Sequence, residues 1–226
     1  GTSAAIAAAR LGSEVALVQD RPVLGGNASG EIRVHTGGDP GPNIVREINA
    51  PYNAGAGAEP HPTDRWDDRR HAVVRAEKKI HLFLNTHVFR VQTKGDRIAS
   101  VDGKDIRTGK ELRFAAPVFI DCTGDGWIGY WAGAEYRVGR EPRAKHDESI
   151  APEKGDTMVL GTSLMWGSRK TDRKVDFPEV PWGKAVAKDM EATEGNWTWE
   201  YGHYLDTIED AEAIRDTLLR AIYGAW

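Results

Sequence analysis

The stretch GTSAAIAAARLGSEVALVQDRPVLGGN, Gly1 to Asn27, constrains the fold more than any other part of the chain. Thr2 to Leu11 is alanine-rich and free of glycine and proline, which favours a helix. Gly12 follows where helices commonly end on a left-handed glycine. Within Glu14 to Gln19, the run Val15-Ala16-Leu17-Val18 has the character of a strand buried on both faces of a parallel sheet. Gln19 and Asp20 give that strand a polar tip. Helix, tight turn, buried strand and polar tip make the second half of a dinucleotide-binding βαβ unit. Gly1 reads as the last glycine of the Gly-x-Gly-x-x-Gly turn that opens such a unit. The first strand and the first two motif glycines are expected upstream of it.

Arg21 to Ser29 is a loop, since Pro22 argues against a continuing central strand. Gly25 and Gly26, followed by Asn27, permit positive φ and a close backbone approach to a ligand. An ordinary strand-to-helix turn fits the same residues. Glu31-Ile32-Arg33-Val34-His35 alternates polar and apolar, as an extended segment would. Its polar face offers Arg33 as a holder of an anionic or polyhydroxy substrate and His35 as a proton acceptor. A solvated edge with scattered charges fits as well. Thr36 to Thr63 reads as a long loop, and loops of that length in enzymes are often lids or binding loops.

Further on, Asp64 to Lys79 has helical spacing of its apolar residues, and His81 to Asn85 reads as a buried strand. Val88–Gln92, Ile98–Val101 and Leu112–Phe114 are short runs separated by Lys94-Gly95-Asp96 and Thr108-Gly109-Lys110, the pattern of a β-meander. Pro117 to Cys122 is apolar and predicts a second buried strand, with Cys122 as a packed thiol. It runs into Thr123-Gly124-Asp125-Gly126 and a helix over Trp127 to Ala132. Such a strand–turn–helix can seat a phosphate or ribose; Asp125 as a plain turn residue is the simpler alternative. The domain change is expected in the charged, proline-punctuated stretch Arg137 to Gly155, with the boundary at 145/146. Asp156 to Trp166 and Trp197 to Gly202 have strand character. Thr207 and Asp210 resemble a capping box opening a helix that Gly224 ends.

Taken together, GTSAAIAAARLGSEVALVQDRPVLGGNAS, FLNTHVFRV, FIDCTGDGWIGYWAGAEYRVGRE and LLRAIYGAW resemble the glutathione-reductase-like flavoproteins. More narrowly, they are similar to the FAD-dependent oxidoreductase family related to the flavin subunit of heterodisulfide reductase. The resemblance implies an α/β fold: a Rossmann-like FAD-binding domain with an inserted β-meander over residues 1–145, then part of a β-rich substrate domain over 146–226. It implies FAD as cofactor, held by Gly1, Gln19, Asp20, Gly25, Gly26, Asn27, Thr123, Gly124 and Asp125, with the backbone near Val88 against the adenine. Gln19 departs from the family pattern, which usually has Glu at this tip for the adenosine ribose. Asp20, one residue on, is expected to share that role.

Composition narrows the function further. Thirty Lys and Arg against 34 Asp and Glu, interspersed, leave a net charge of −4 and no case for a nucleic-acid or membrane surface. With one cysteine the chain cannot itself ligate an iron–sulfur cluster, and the dispersed histidines give no metal-ligand spacing. No apolar run reaches membrane-span length. Five of the eight tryptophans fall in the last third, and they suit packing or sugar binding. The function that the resemblance implies is hydride transfer from a small, carbohydrate- or polyol-like substrate to FAD, expected in the cytoplasm. Two alternatives stay open: a flavin subunit passing electrons to an iron–sulfur partner, and a non-catalytic nucleotide- or sugar-binding module.

Overall fold

The computed structural model describes residues 1–34, 36, 43–49, 62–164, 171–186 and 200–225. Contacts divide the chain into two units, Gly1–Tyr136 and Arg137–Trp226, so the division falls at the start of the charged stretch. In the first unit, α1 (Thr2–Arg10) buries Ala5, Ile6 and Ala9, one narrow face of small and branched residues. Gly12 adopts a φ of +101° and lets the chain turn into β1 (Val15–Val18). β1 pairs in parallel with β2 (Ile80–Phe83), Val15 opposite Ile80 and Val18 opposite Phe83. A parallel pair needs a long crossover, and this one carries α2 (Ile44–Asn49) and α3 (Pro62–Ala76).

Buried Ile6, Leu24, Ile48, Val73 and Val74 form the core of this unit, with half-buried Leu17 and Leu82 packed on it. α1, α2, α3 and the Leu24 loop thus share one apolar centre. At the surface Arg10 ties the same elements together. Its Nε donates to Glu77 at 2.7 Å, and its two terminal nitrogens donate to Glu47 at 2.9 Å each.

β3 (Thr86–Lys94), β4 (Arg97–Asp105) and β5 (Glu111–Ala115) form the antiparallel meander that the sequence predicts. Gly103 in β4 matters for its packing: a Cβ there would lie 3.0 Å from the Thr86 methyl and 3.2 Å from the Phe114 ring. An edge-to-face contact between Phe83 and Phe114, 4.8 Å between ring centres, joins β2 to β5. α4 (Trp127–Trp131) closes the unit.

Several sequence expectations are corrected here. Val15 to Val18 is not buried on both faces, because Ala16 is exposed and its neighbours are half-buried. His81 in β2 is likewise exposed. Pro117 to Cys122 belongs to no strand among the described residues, and Val118 and Ile120 are 71% and 64% exposed. Without a ladder beside it, an apolar segment has no surface to bury itself on. Cys122 is consequently exposed and not a packed core thiol. The segment Glu31 to Val34 curls into a turn, with Arg33 at φ +65°, because the Ser29 and Asn27 carbonyls take the Arg33 and Val34 N–H groups. The long loop contains α2, and α3 begins at Pro62, a proline placed where its missing N–H costs nothing.

In the second unit, Arg140 and Asp156 form an isolated antiparallel bridge. β6 (Thr162–Ser163) pairs with β7 (Glu200–Tyr201), and α5 (Gly183–Val186) precedes α6 (Ala211–Ala225). Strand structure here is shorter than the sequence suggests, and residues 165–166 and 197–199 lie outside the described residues. Ile214 and Leu218 of α6 are buried, with Leu164 and Ile222 packed on them. Asp206, not Thr207, closes the turn 207–210 that precedes α6. Asp206 accepts the Ile208 and Glu209 N–H groups, and Asp210 accepts the N–H of Asp206. α6 also runs through Gly224 instead of ending there. Of the five tryptophans in the last third, Trp182 is described; it packs near Tyr223 and under the Arg220 guanidinium.

Candidate functional site

The start of α1 meets a glycine-containing turn. A Cβ placed on Gly1 would lie 3.5 Å from the Cys122 Cβ, so the start of α1 stands beside the Thr123–Gly126 turn. Asp121 builds that turn. Its carboxylate accepts the Thr123 N–H at 2.9 Å, the Thr123 hydroxyl at 2.7 Å and the Gly129 N–H at 3.0 Å. Thr123 in turn accepts the Trp127 N–H at 3.0 Å. Burial pushes the Asp121 carboxyl up, but these donors outweigh it and hold it below its ordinary range. Gly124 and Gly126 have φ of +95° and +72°, with open space where a side chain would stand. Asp125 is exposed between them.

A second group gathers at the end of β1. The Gln19 N–H donates to Phe83 at 2.8 Å, and its carbonyl accepts the Thr86 N–H at 2.9 Å. This ladder carries the strand tip onto the start of β3. Val88, half-buried and opposite Gly103, follows two residues later. Gln19 is half-buried and Asp20 exposed at the carboxyl end of the strand, where open α/β sheets bind ligands.

The third group is the loop between β1 and α2. Gly25 (φ +119°) and Gly26 (φ +56°) lead into a 3₁₀ turn, Gly26–Ala28. Gly26 and Asn27 are exposed, and a Cβ on Gly26 would meet nothing. The Ser29 hydroxyl is sealed from solvent without a hydrogen-bond partner among the described residues. The Nε of Arg33 donates to the Gly30 carbonyl at 2.9 Å, so one of its donors serves the loop itself. His35 lies outside the described residues.

Sequence reading passed over Asp121, Asp67 and Arg70. Asp121 carries a legible signal, an Asp two residues before a Thr-Gly turn. Asp67 and Arg70 are a helix i,i+3 pair of a kind usually solvated. Here both are buried, and their partners are 37 and 21 residues away in the chain, at Gly30 and Asn49. In the second unit a cavity of about 450 Å³ is lined by Met158, Tyr201 to Leu205 and their backbone; its His203 is paired with Glu200 at 3.2 Å. Among the described residues no group of three His, Cys, Asp or Glu could hold a metal ion.

Gly26, Gly124 and Gly126 combine positive φ with vacant Cβ space, the last two in the turn beside the start of α1, an arrangement that fits a dinucleotide with its pyrophosphate against backbone N–H groups. The fold and this arrangement define an α/β nucleotide-binding protein. The family described as FAD dependent oxidoreductase matches residues 1–217, and the chain belongs to that family. FAD is its cofactor and its chemistry is redox chemistry. No curated protein and no solved structure matches the chain. Among the described residues, no helix is long and apolar enough to cross a membrane.

Proposed function

We propose that this chain forms the cofactor-binding part of an oxidoreductase that removes a hydride from a small, carbohydrate- or polyol-like substrate. FAD supplies the hydride acceptor at its N5 atom. The observation that carries this reading is the apposition of Gly1 and Cys122, which sets the start of α1 beside the Thr123–Gly126 turn. In it, Gly1, Gly124, Asp125 and Thr123 face the pyrophosphate and ribityl groups. Gln19 and Asp20 bind the adenosine ribose, the backbone at Val88 borders the adenine, and Gly25, Gly26 and Asn27 run toward the flavin. Arg33 orients the substrate, and His35 takes up the hydroxyl proton as an alcohol carbon is oxidised.

The test is anaerobic bleaching of the flavin in the native, FAD-loaded protein on adding aldoses and polyols. Bleaching by at least one of them, slowed about 10²–10⁴-fold by His35→Gln, is the expected result. A flavin that no sugar or polyol reduces, but that exchanges electrons with an iron–sulfur protein, would overturn the substrate assignment in favour of an electron-transfer subunit.

A further inference from the structure

The glycine loop is held from beneath by α3. Asp67 accepts the Gly30 N–H with both carboxylate oxygens, at 3.0 and 2.9 Å. One helical turn on, Arg70 donates to Asp67 at 3.2 Å and to the Asn49 side chain of α2 at 3.0 Å. Its guanidinium lies directly under Gly25, where an added Cβ would stand 3.0 Å from Nη1 and 3.2 Å from Cζ. Two side chains of one helix therefore hold the loop, Arg70 at its left-handed glycine and Asp67 at its end.

We infer that Asp67 and Arg70 are positioning residues for cofactor binding, acting by holding the Pro22–Gly30 loop in the conformation that meets FAD. This rests on the proposed role of Gly25, Gly26 and Asn27. Arg70 is 3% exposed and Asp67 8%. Taking two charges out of water is costly, and such a pair often stabilises a fold less than apolar residues of the same size. Burial shifts both groups toward their neutral forms, Asp67 up and Arg70 down, against the opposite pull of their mutual attraction. A pair that adds little stability is accounted for by what it orders. The planar fork of Arg70 reaches Asp67, Asn49 and the underside of Gly25 together, which a lysine could not do.

The variants are Arg70→Met, Arg70→Lys and the double change Asp67→Leu with Arg70→Met. FAD affinity is read by flavin fluorescence. Denaturant unfolding of the apo-protein and amide exchange across residues 22–30 are read in parallel. Arg70→Met alone leaves Asp67 buried without its partner and is expected to lower stability. The double variant removes both charges and is expected to unfold near the parent's midpoint. It should still bind FAD roughly 10–100-fold more weakly, the scale of a misplaced binding element, and lose amide protection at Gly30 while Ile6 and Val74 keep theirs. Arg70→Lys should fall between parent and double variant in affinity. A double variant with parental FAD affinity and parental loop protection would overturn the inference. A parent protein that binds no FAD, yet loses loop protection in the double variant, would instead overturn the proposed function and leave α3's hold on the loop intact.

Discussion

Left-handed glycines and the carboxylates of Asp67 and Asp121 shape the proposed site, and they make separable predictions. Gly25 and Gly124 both need positive φ, but their surroundings differ. Gly124 faces open space, so Gly124→Ala should cost only the backbone strain, about 1 kcal/mol. Gly25→Ala adds a methyl against an Arg70 side chain pinned by Asp67 and Asn49, and should cost about 2–3 kcal/mol. Urea unfolding of the two variants checks the ranking; equal losses would mean that Arg70 moves freely. Asp121 was hidden in the sequence behind Thr123-Gly124-Asp125-Gly126, whose residues look more like a ligand turn than the aspartate that shapes it. Asp121→Asn should weaken FAD binding by loosening the turn, while leaving α3's contacts with Gly25 and Gly30 unchanged.

At the scale of elements, the meander contains the clearest electrostatic device. Asp102 of β4 accepts from Arg113 Nε at 2.7 Å, and also from Gln92 at 3.1 Å. The Arg113 hydrogen bond, with smaller help from Gln92 and Arg90, holds the Asp102 carboxyl below its ordinary value. A carboxyl depressed in the folded state contributes stability that is complete above the unfolded carboxylate pKa and fades as pH falls through the lower, folded value. Asp102→Asn should therefore flatten the acid limb of the stability curve below about pH 4 and change little at neutral pH. Unfolding midpoints across that range decide it; an unchanged acid limb would remove Asp102 as the cause. The meander itself was legible, because Gly95 and Gly109 punctuate alternating runs and local turn chemistry fixes the pairing. α1 and Gly12 were legible for the same local reason. Pro117–Cys122 was not, since its apolar run promises burial that depends on a neighbouring strand. Nor was the Asp67–Arg70 pair, because nothing local distinguishes a buried charge on α3 from the solvated ones beside it.

Across the whole molecule, the two units have separate cores, Ile6, Leu24, Ile48, Val73 and Val74 in one and Ile214 with Leu218 in the other. Ile214 is fully buried and also stands against Gly202, where an added Cβ would lie 2.8 Å from its Cδ1. Ile214→Ala should cost about 2–5 kcal/mol and raise amide exchange in α6, with α1 and α3 unaffected. Exchange rising equally in α1 would show the cores to be energetically one. Family membership makes FAD the cofactor, and the residues proposed to hold it all lie within the unit Gly1–Tyr136. The central claim is that FAD rests on the start of α1 at Gly1 and on the adjoining Thr123–Gly126 turn. Its most direct measurement is the FAD content of the native protein beside that of a Gly1→Val variant, whose side chain would enter the gap to Cys122. The account predicts one FAD per chain in the parent and little or none in the variant, with unchanged far-UV circular dichroism. A variant that keeps its full complement of FAD would contradict it.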